Sequence, residues 1–184
     1  LPEAMTSGLP ESGGALAARG ARALLGALEE FDAAVVGPGL GASDETVRLL
    51  ELVLAGARIP VVADADALNA FGGRAGFFRR RRGPTVLTPH PGEAARLLAT
   101  TSARIQSDRL AAGRALARRA RGVVVLKGAH SLVASPTGEV AVNPTGSPLL
   151  ATAGSGDILA GVRKLADAFL NGGLRFIEIA DVIR

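Results

Sequence analysis

Asp157 follows Gly154, Ser155 and Gly156 in the run ATAGSGDILAGV, where a loop passes into a helix. Residues without bulk at a helix N-terminus leave backbone N–H groups open to an anion. A carboxylate beside a bound phosphate is well placed to take a proton from an attacking hydroxyl. The run therefore predicts phosphate chemistry, with Asp157 as the base. A capped helix with a loose lead-in is the structural alternative, but a cap does not require a whole run of small residues.

Four other segments carry residues suited to the same chemistry. LKGAHS (126–131) holds Lys127, one of two lysines in a chain that otherwise uses arginine. A lysine at a strand end can act as a point charge on a phosphate, and Gly128 lets backbone amides approach the same anion. TPHPGE (88–93) sets His90 between two prolines, which stiffens its backbone and aims its ring. Glu93 falls in the first turn of the next helix, where a negative charge is favourable in any case. DADALN (64–69) places Asp64 and Asp66 at a strand end, either to hold Mg²⁺ through water or to cap the short helix that follows. GPGLG (37–41) is a glycine turn after a strand, either a close approach to ligand or a tight structural turn.

Short β-branched runs alternate with amphipathic stretches along the chain. AAVVG (33–37), IPVVAD (59–64), PTVLTPH (84–90) and VVVLKG (123–128) read as strands. Helical patterns cover Ala15–Glu30, a stretch from Ser43 to Ala57, Ala65–Phe71, 91–98, Ser107–Arg121 and the region from Gly156 to Leu170. In Ser107–Arg121, Leu110 and Leu116 fall on one side and the arginines on the other. SLVAS (131–135) and EVAVN (139–143) flank PTG and predict a late β-hairpin. Alternation of this kind implies α/β architecture with a mostly parallel sheet. Ligands of such sheets sit outside the carboxyl ends of the strands, where Gly37–Gly41, Asp64, Asp66, His90 and Lys127 all fall.

Composition narrows the classes. The 184 residues are 48% apolar and 21% charged, enough for a buried core in one ordinary domain. There is no cysteine, so disulfides, thiolate metal sites and a cysteine nucleophile are excluded, and a cytoplasmic location is expected. The absence of Trp and Tyr argues against base-stacking nucleic-acid binding. No apolar stretch has the ~20 residues of a membrane span. The opening segment has no basic or apolar region of a signal peptide, and its lack of an initiator methionine is read as a processed or clipped end. The net charge is +4, and its densest run, Arg79–Arg82, is expected to be solvated surface.

The ordered set GPGLG, PVVADADALN, VLTPHPGEAARLL, VVVLKGAHSLV and NPTGSPLLATAGSGDILAGV resembles the ADP/ATP-dependent NAD(P)H-hydrate dehydratases, metabolite-repair enzymes of ribokinase-like fold. The resemblance spans residues 1–162 and implies a three-layer α/β/α sandwich, incomplete at its N-terminus. Residues 163–184 depart from the family's continuation and are expected to form a divergent helical tail. The implied reaction is repair of NADH or NADPH hydrated on the nicotinamide ring (S epimer). ADP or ATP, with Mg²⁺, phosphorylates the new hydroxyl, and phosphate then leaves.

Carried over by motif, Gly39, Gly41 and His90 would line the hydrated-nucleotide site together with Asp157, the base. Lys127, Gly128, Ala129, His130 and Ser131, with Gly154, Ser155 and Gly156, would hold the adenine nucleotide. No residue is assigned as a metal ligand. The implied partners are NAD(P)H-hydrate and adenine nucleotide, with neither nucleic acid nor membrane. The missing N-terminal unit would expose an apolar sheet edge, which leaves a homo-oligomer open. Two alternatives stand beside this reading: a small-molecule kinase of the same superfamily, and a non-catalytic nucleotide-binding fragment.

Overall fold

The computed structural model describes residues 6–144. It opens with a small hairpin, β1 (Glu11–Ser12) and β2 (Ala15–Leu16), closed through Gly13 and Gly14 at φ 60° and 78°. This corrects the helix expected from Ala15. Residues 15–16 pair with 11–12 and are held extended, so α1 begins only at Ala21 (Ala21–Leu28), after a 3-10 turn at Ala18–Gly20.

A six-stranded sheet follows. Its strands are β3 (Ala34–Val36), β4 (Val61–Ala63), β5 (Thr85–Leu87), β6 (Val123–Leu126), β7 (Leu132–Ala134) and β8 (Val140–Val142), lying in that order. The first four pair in parallel, and β7 and β8 add the expected antiparallel hairpin. One register row is Val35, Val62, Val86 and Val123, a β-branched stripe running across all four parallel strands. β4 and β6 are buried at every residue, and strands of that kind read as continuous apolar runs.

The crossovers carry α2 (Asp44–Gly56), α3 (Asp66–Asn69), a 3-10 turn (Ala75–Arg80), α4 (Pro91–Leu98), α5 (Ser102–Ser107) and α6 (Arg109–Ala120). Ser43 caps α2 as expected, its Oγ accepting from Thr46 N at 3.1 Å. The helix expected over Ser107–Arg121 is α6, which starts at Arg109; α5, just ahead of it, was not expected. Asp108 leaves helical geometry at φ −150°, ψ 80°, and its Oδ1 accepts from Ala111 N at 2.9 Å, so the chain is recapped there. Leu110 consequently turns outward and is 44% exposed, while Leu116, Ala117 and Ala120 are buried.

The main core packs these helices against one sheet face, joining Leu50, Leu54, Leu68, Phe71, Leu97 and Leu116 to Val61, Leu87, Val124 and Leu126. Phe71 stacks on Phe77 with centroids 4.2 Å apart and meets Phe78 edge-on at 5.1 Å. α1 packs on α2 through Ala21, Leu49 and Val53. The described helices form one layer on that face; the helix expected from Gly156, the tail at 163–184 and the second layer of the expected sandwich lie outside the described residues.

The Arg79–Arg82 run is only partly the solvated surface expected of it. Arg81 turns inward, donating to Thr85 Oγ1, Leu54 O and Ile59 O at 2.9, 2.8 and 2.9 Å. Burial pushes its guanidinium down to about 10, still cationic at neutral pH. Arg79 and Arg80 stay exposed and, with Arg119, line an open cleft at the amino ends of the strands, away from the glycine loops.

Candidate functional site

The parallel strands end in four loops that are tied to one another. Asp64 N donates to Val36 O at 3.1 Å, Thr88 N to Ala63 O at 3.2 Å, and Lys127 N to Pro89 O at 2.8 Å. Each loop is thus hydrogen-bonded to the strand end or loop beside it. Gly37 is what allows the first two to meet. Its φ is 132°, and a Cβ there would lie 1.8 Å from Asp64 O. Gly39 and Gly41, at φ 73° and 74°, have open space around them, and Gly41 N donates to Asp66 Oδ2 at 2.8 Å.

That bond, and those of Asp64, correct the capping expectation. Neither carboxylate caps α3, whose first turn has no side-chain cap. Asp66 reaches back to the glycine loop instead. Asp64 Oδ1 accepts from Ala65 N at 2.8 Å and from Lys127 Nζ at 2.7 Å. Between the two aspartates, Ala65 is held at φ 50°, ψ −116°, a region costly for a residue with a Cβ.

Lys127 is therefore not a lone point charge. Its ammonium also stands 3.9 Å from Glu93 Oε2, so it lies between two carboxylates delivered by different loops. Glu93 does more than stabilise a helix dipole: it is 5% exposed, and its Oε2 accepts from His90 N at 2.8 Å. His90 reciprocates, with Nδ1 accepting from Gly92 N at 3.0 Å and Glu93 N at 3.4 Å. Together they form a capping box at the start of α4. An Nδ1 that accepts two N–H groups puts the proton of the neutral ring on Nε2, 3.4 Å from Glu93 Oε1. The ring is half exposed, so it presents an edge to solvent while anchoring the helix.

Residues 128–131 turn sharply after β6. Gly128 has φ 142° and His130 φ 54°, and Ser131 Oγ donates to Gly128 O at 3.1 Å. Gly128, Ala129 and His130 are exposed. Gly154, Ser155, Gly156 and Asp157 lie outside the described residues. Sequence reasoning missed Arg109, which lies behind this turn and donates to the carbonyls of Leu126, Lys127 and Ala129, at the end of β6 and in the turn. Only its place immediately after the Asp108 cap distinguished it among the many arginines.

Among the described residues, no group of three or more His, Asp or Glu could hold a metal ion. Asp64 Oδ2 has no donor among them, and Mg²⁺ brought by a nucleotide needs only one or two protein carboxylates. Asp64 Oδ2 fits that role as a single protein oxygen, whereas Glu93 is already taken by His90 and Lys127.

A parallel sheet with a late hairpin and a ligand end of glycine loops, paired carboxylates and a lysine defines the ribokinase-like class. A ribokinase-like superfamily protein from Enterococcus faecalis superposes with TM-score 0.69 at 26% identity, over 90% of this chain and 57% of that one. The chain belongs to the NAD(P)H-hydrate dehydratase family, whose model matches residues 1–166.

Relatives agree. The bifunctional NAD(P)H-hydrate repair enzyme Nnr of Moorella thermoacetica is 48% identical over 161 residues, 87% of this chain and 30% of that protein. The ADP-dependent (S)-NAD(P)H-hydrate dehydratase of Neisseria meningitidis is 44% identical over 169 residues, 88% of this chain and 54% of that one. The ADP/ATP-dependent NAD(P)H-hydrate dehydratase of Bacillus subtilis, co-crystallised with ATP and Mg²⁺ and soaked with CoA, superposes with TM-score 0.63 at 28% identity. That match covers 83% of this chain and 64% of the other. The chain thus spans about half the length, or less, of the curated relatives it matches.

Proposed function

We propose that this chain carries ADP- or ATP-dependent dehydration of hydrated NAD(P)H, S epimer. The observation that carries the reading is the convergence of the family's motifs on one sheet end. The glycine loop, Asp64, the His90–Glu93 box and Lys127 meet there through the bonds described above.

In this reading Asp157 takes the proton of the ring hydroxyl as its oxygen attacks the terminal phosphoryl group of the nucleotide. An O–P bond forms, and the shortened nucleotide leaves with its bridging oxygen. The C–O bond to the ring then breaks, phosphate departs with the electron pair, and loss of a neighbouring proton restores the dihydronicotinamide. Mg²⁺, when bound with the nucleotide, offsets phosphate charge. Lys127, already held against Asp64, supplies a fixed cation beside the phosphates, and its loop supplies N–H donors. Gly39 and Gly41 leave room for the dinucleotide, and the half-exposed edge of His90 contacts it.

The test mixes the protein with hydrated NADH, Mg²⁺ and either nucleotide and follows the return of dihydronicotinamide absorbance. Turnover that disappears in Asp157→Ala supports the reading. A phosphorylated product that accumulates without elimination points instead to a kinase. Nucleotide binding with no chemistry points to a non-catalytic fragment.

Two further parts belong to this proposal. A cytoplasmic setting suits a cysteine-free chain acting on a reduced cofactor; no helix of the described residues is long and apolar enough to cross a membrane. A homo-oligomer paired along β3 suits what is, among the described residues, the outermost parallel strand, with Val35 44% exposed. Size-exclusion chromatography with light scattering tests that pairing.

A further inference from the structure

We propose that Arg109 is the positioning residue of the nucleotide loop, setting the direction of its backbone amides. The inference rests on the reading that residues 127–131 hold the adenine nucleotide.

Arg109 is the first residue of α6, fixed there by the Asp108 cap. Its Nη1 donates to Ala129 O, and its Nη2 lies 3.2 Å from Leu126 O and 3.5 Å from Lys127 O. One guanidinium thus gathers three carbonyls from the end of β6 and the turn beyond it. In a trans peptide the N–H points opposite to the C=O. The Leu126–Lys127 peptide shows the result: its oxygen faces Arg109, and its N–H donates to Pro89 O at 2.8 Å. The same geometry turns the N–H groups of Gly128 and His130 away from Arg109. Neither has an acceptor among the described residues. They are donors held ready on the exposed side of the turn.

Two details show that the guanidinium belongs in this place. Its buried Nε has no hydrogen-bond partner among the described residues, so the side chain is held here by its Nη contacts at the expense of that donor. Gly128 leaves just enough space, since a Cβ there would stand 3.0 Å from Arg109 Nη2. The electrostatic consequence follows. Three carbonyl dipoles beside a phosphate would repel it; turned onto a cation, they do not, and the N–H ends face outward. A lysine could hold one or two of these oxygens, but not all three in a fixed fork.

The test measures ADP and ATP affinity by calorimetry, and KM for nucleotide and for hydrated NADH separately, in wild type, Arg109→Gln and Arg109→Lys. Nucleotide affinity is expected to fall about tenfold or more in Arg109→Gln, the scale of losing charge-assisted hydrogen bonds. Arg109→Lys should be intermediate, and KM for hydrated NADH unchanged. Wild type that binds neither nucleotide sinks the nucleotide reading itself. Wild type that binds, with Arg109→Gln binding equally well, overturns the positioning role alone. A parallel rise in both KM values marks Arg109 as merely structural and overturns it too. If Arg109→Gln does not fold, NMR-detected hydrogen exchange on wild type decides: the Gly128 and His130 amides gain protection on adding ADP, or the inference is wrong.

Discussion

Lys127 Nζ lies 2.7 Å from Asp64 Oδ1, joining residues 63 positions apart across the ends of β6 and β4. Glu93 Oε2, 3.9 Å from the same ammonium, makes it a cation between two carboxylates. Removing the lysine leaves two like charges facing each other at a half-buried site. Removing Asp64 leaves the lysine with Glu93. Lys127→Met should therefore cost more than Asp64→Asn, about 2 kcal/mol against about 1, between the values for exposed and buried pairs. The double variant should recover part of the loss. A double-mutant cycle in urea checks this, and strict additivity would refute the coupling.

His90 has two separable duties. His90→Ala removes the acceptor for Gly92 N and Glu93 N and should destabilise by about 1 kcal/mol. His90→Asn keeps a side-chain acceptor at the cap and should restore most of that stability. If the ring also contacts the hydrated dinucleotide, His90→Asn will still raise KM for it. Melting temperatures with KM values for the two variants separate cap from contact.

The glycines of GPGLG should respond very differently. Gly37→Ala drives a methyl into Asp64 O and Ala67 Cβ and should cost more than about 4 kcal/mol, beyond what a surface substitution does. Gly39→Ala meets open space and pays only backbone strain, about 1 kcal/mol. Circular dichroism melts of the two variants suffice; equal melting points would contradict the close approach.

Arg81→Lys should destabilise by about 2 kcal/mol, because one ammonium cannot reach Leu54 O, Ile59 O and Thr85 Oγ1 together. Arg82→Lys, on an exposed neighbour, should change the midpoint by less than about 0.5 kcal/mol. Chemical denaturation of both variants makes the comparison.

Arg74 donates to Glu51 Oε1 at 2.6 Å, with Arg48 3.4 Å from Oε2, and these bonds hold the Glu51 carboxyl below its usual range. A carboxyl depressed by folding stabilises the fold above its unfolded value. That contribution is lost as pH falls through the lowered one. Glu51→Gln should melt slightly below wild type at neutral pH, by about 0.5 kcal/mol at most. The gap should close in acid. A gap unchanged in acid would exclude the ion pair as its source.

Period and punctuation determined much of this protein before any coordinates. The four β-branched runs were legible as strands of a mostly parallel sheet because they alternate with amphipathic helical stretches. The Ser43 cap, Pro91 in the first turn of α4 and the PTG turn were local chemistry and fell where read. The ordered motifs also determined the family.

What tertiary structure alone decided is who pairs with whom. Asp64 was legible as a carboxylate at a strand end, but its choice of Lys127 over a helix cap depends on how β4 and β6 flank β5. Arg109 and Arg81 were two arginines among many until packing placed one behind the turn after β6 and the other under the start of β5. The early hairpin was missed for a related reason. Helical periodicity over Ala15–Glu30 was real but weak. A two-residue pairing was enough to override its start, because marginal helices take their stability from what they pack against.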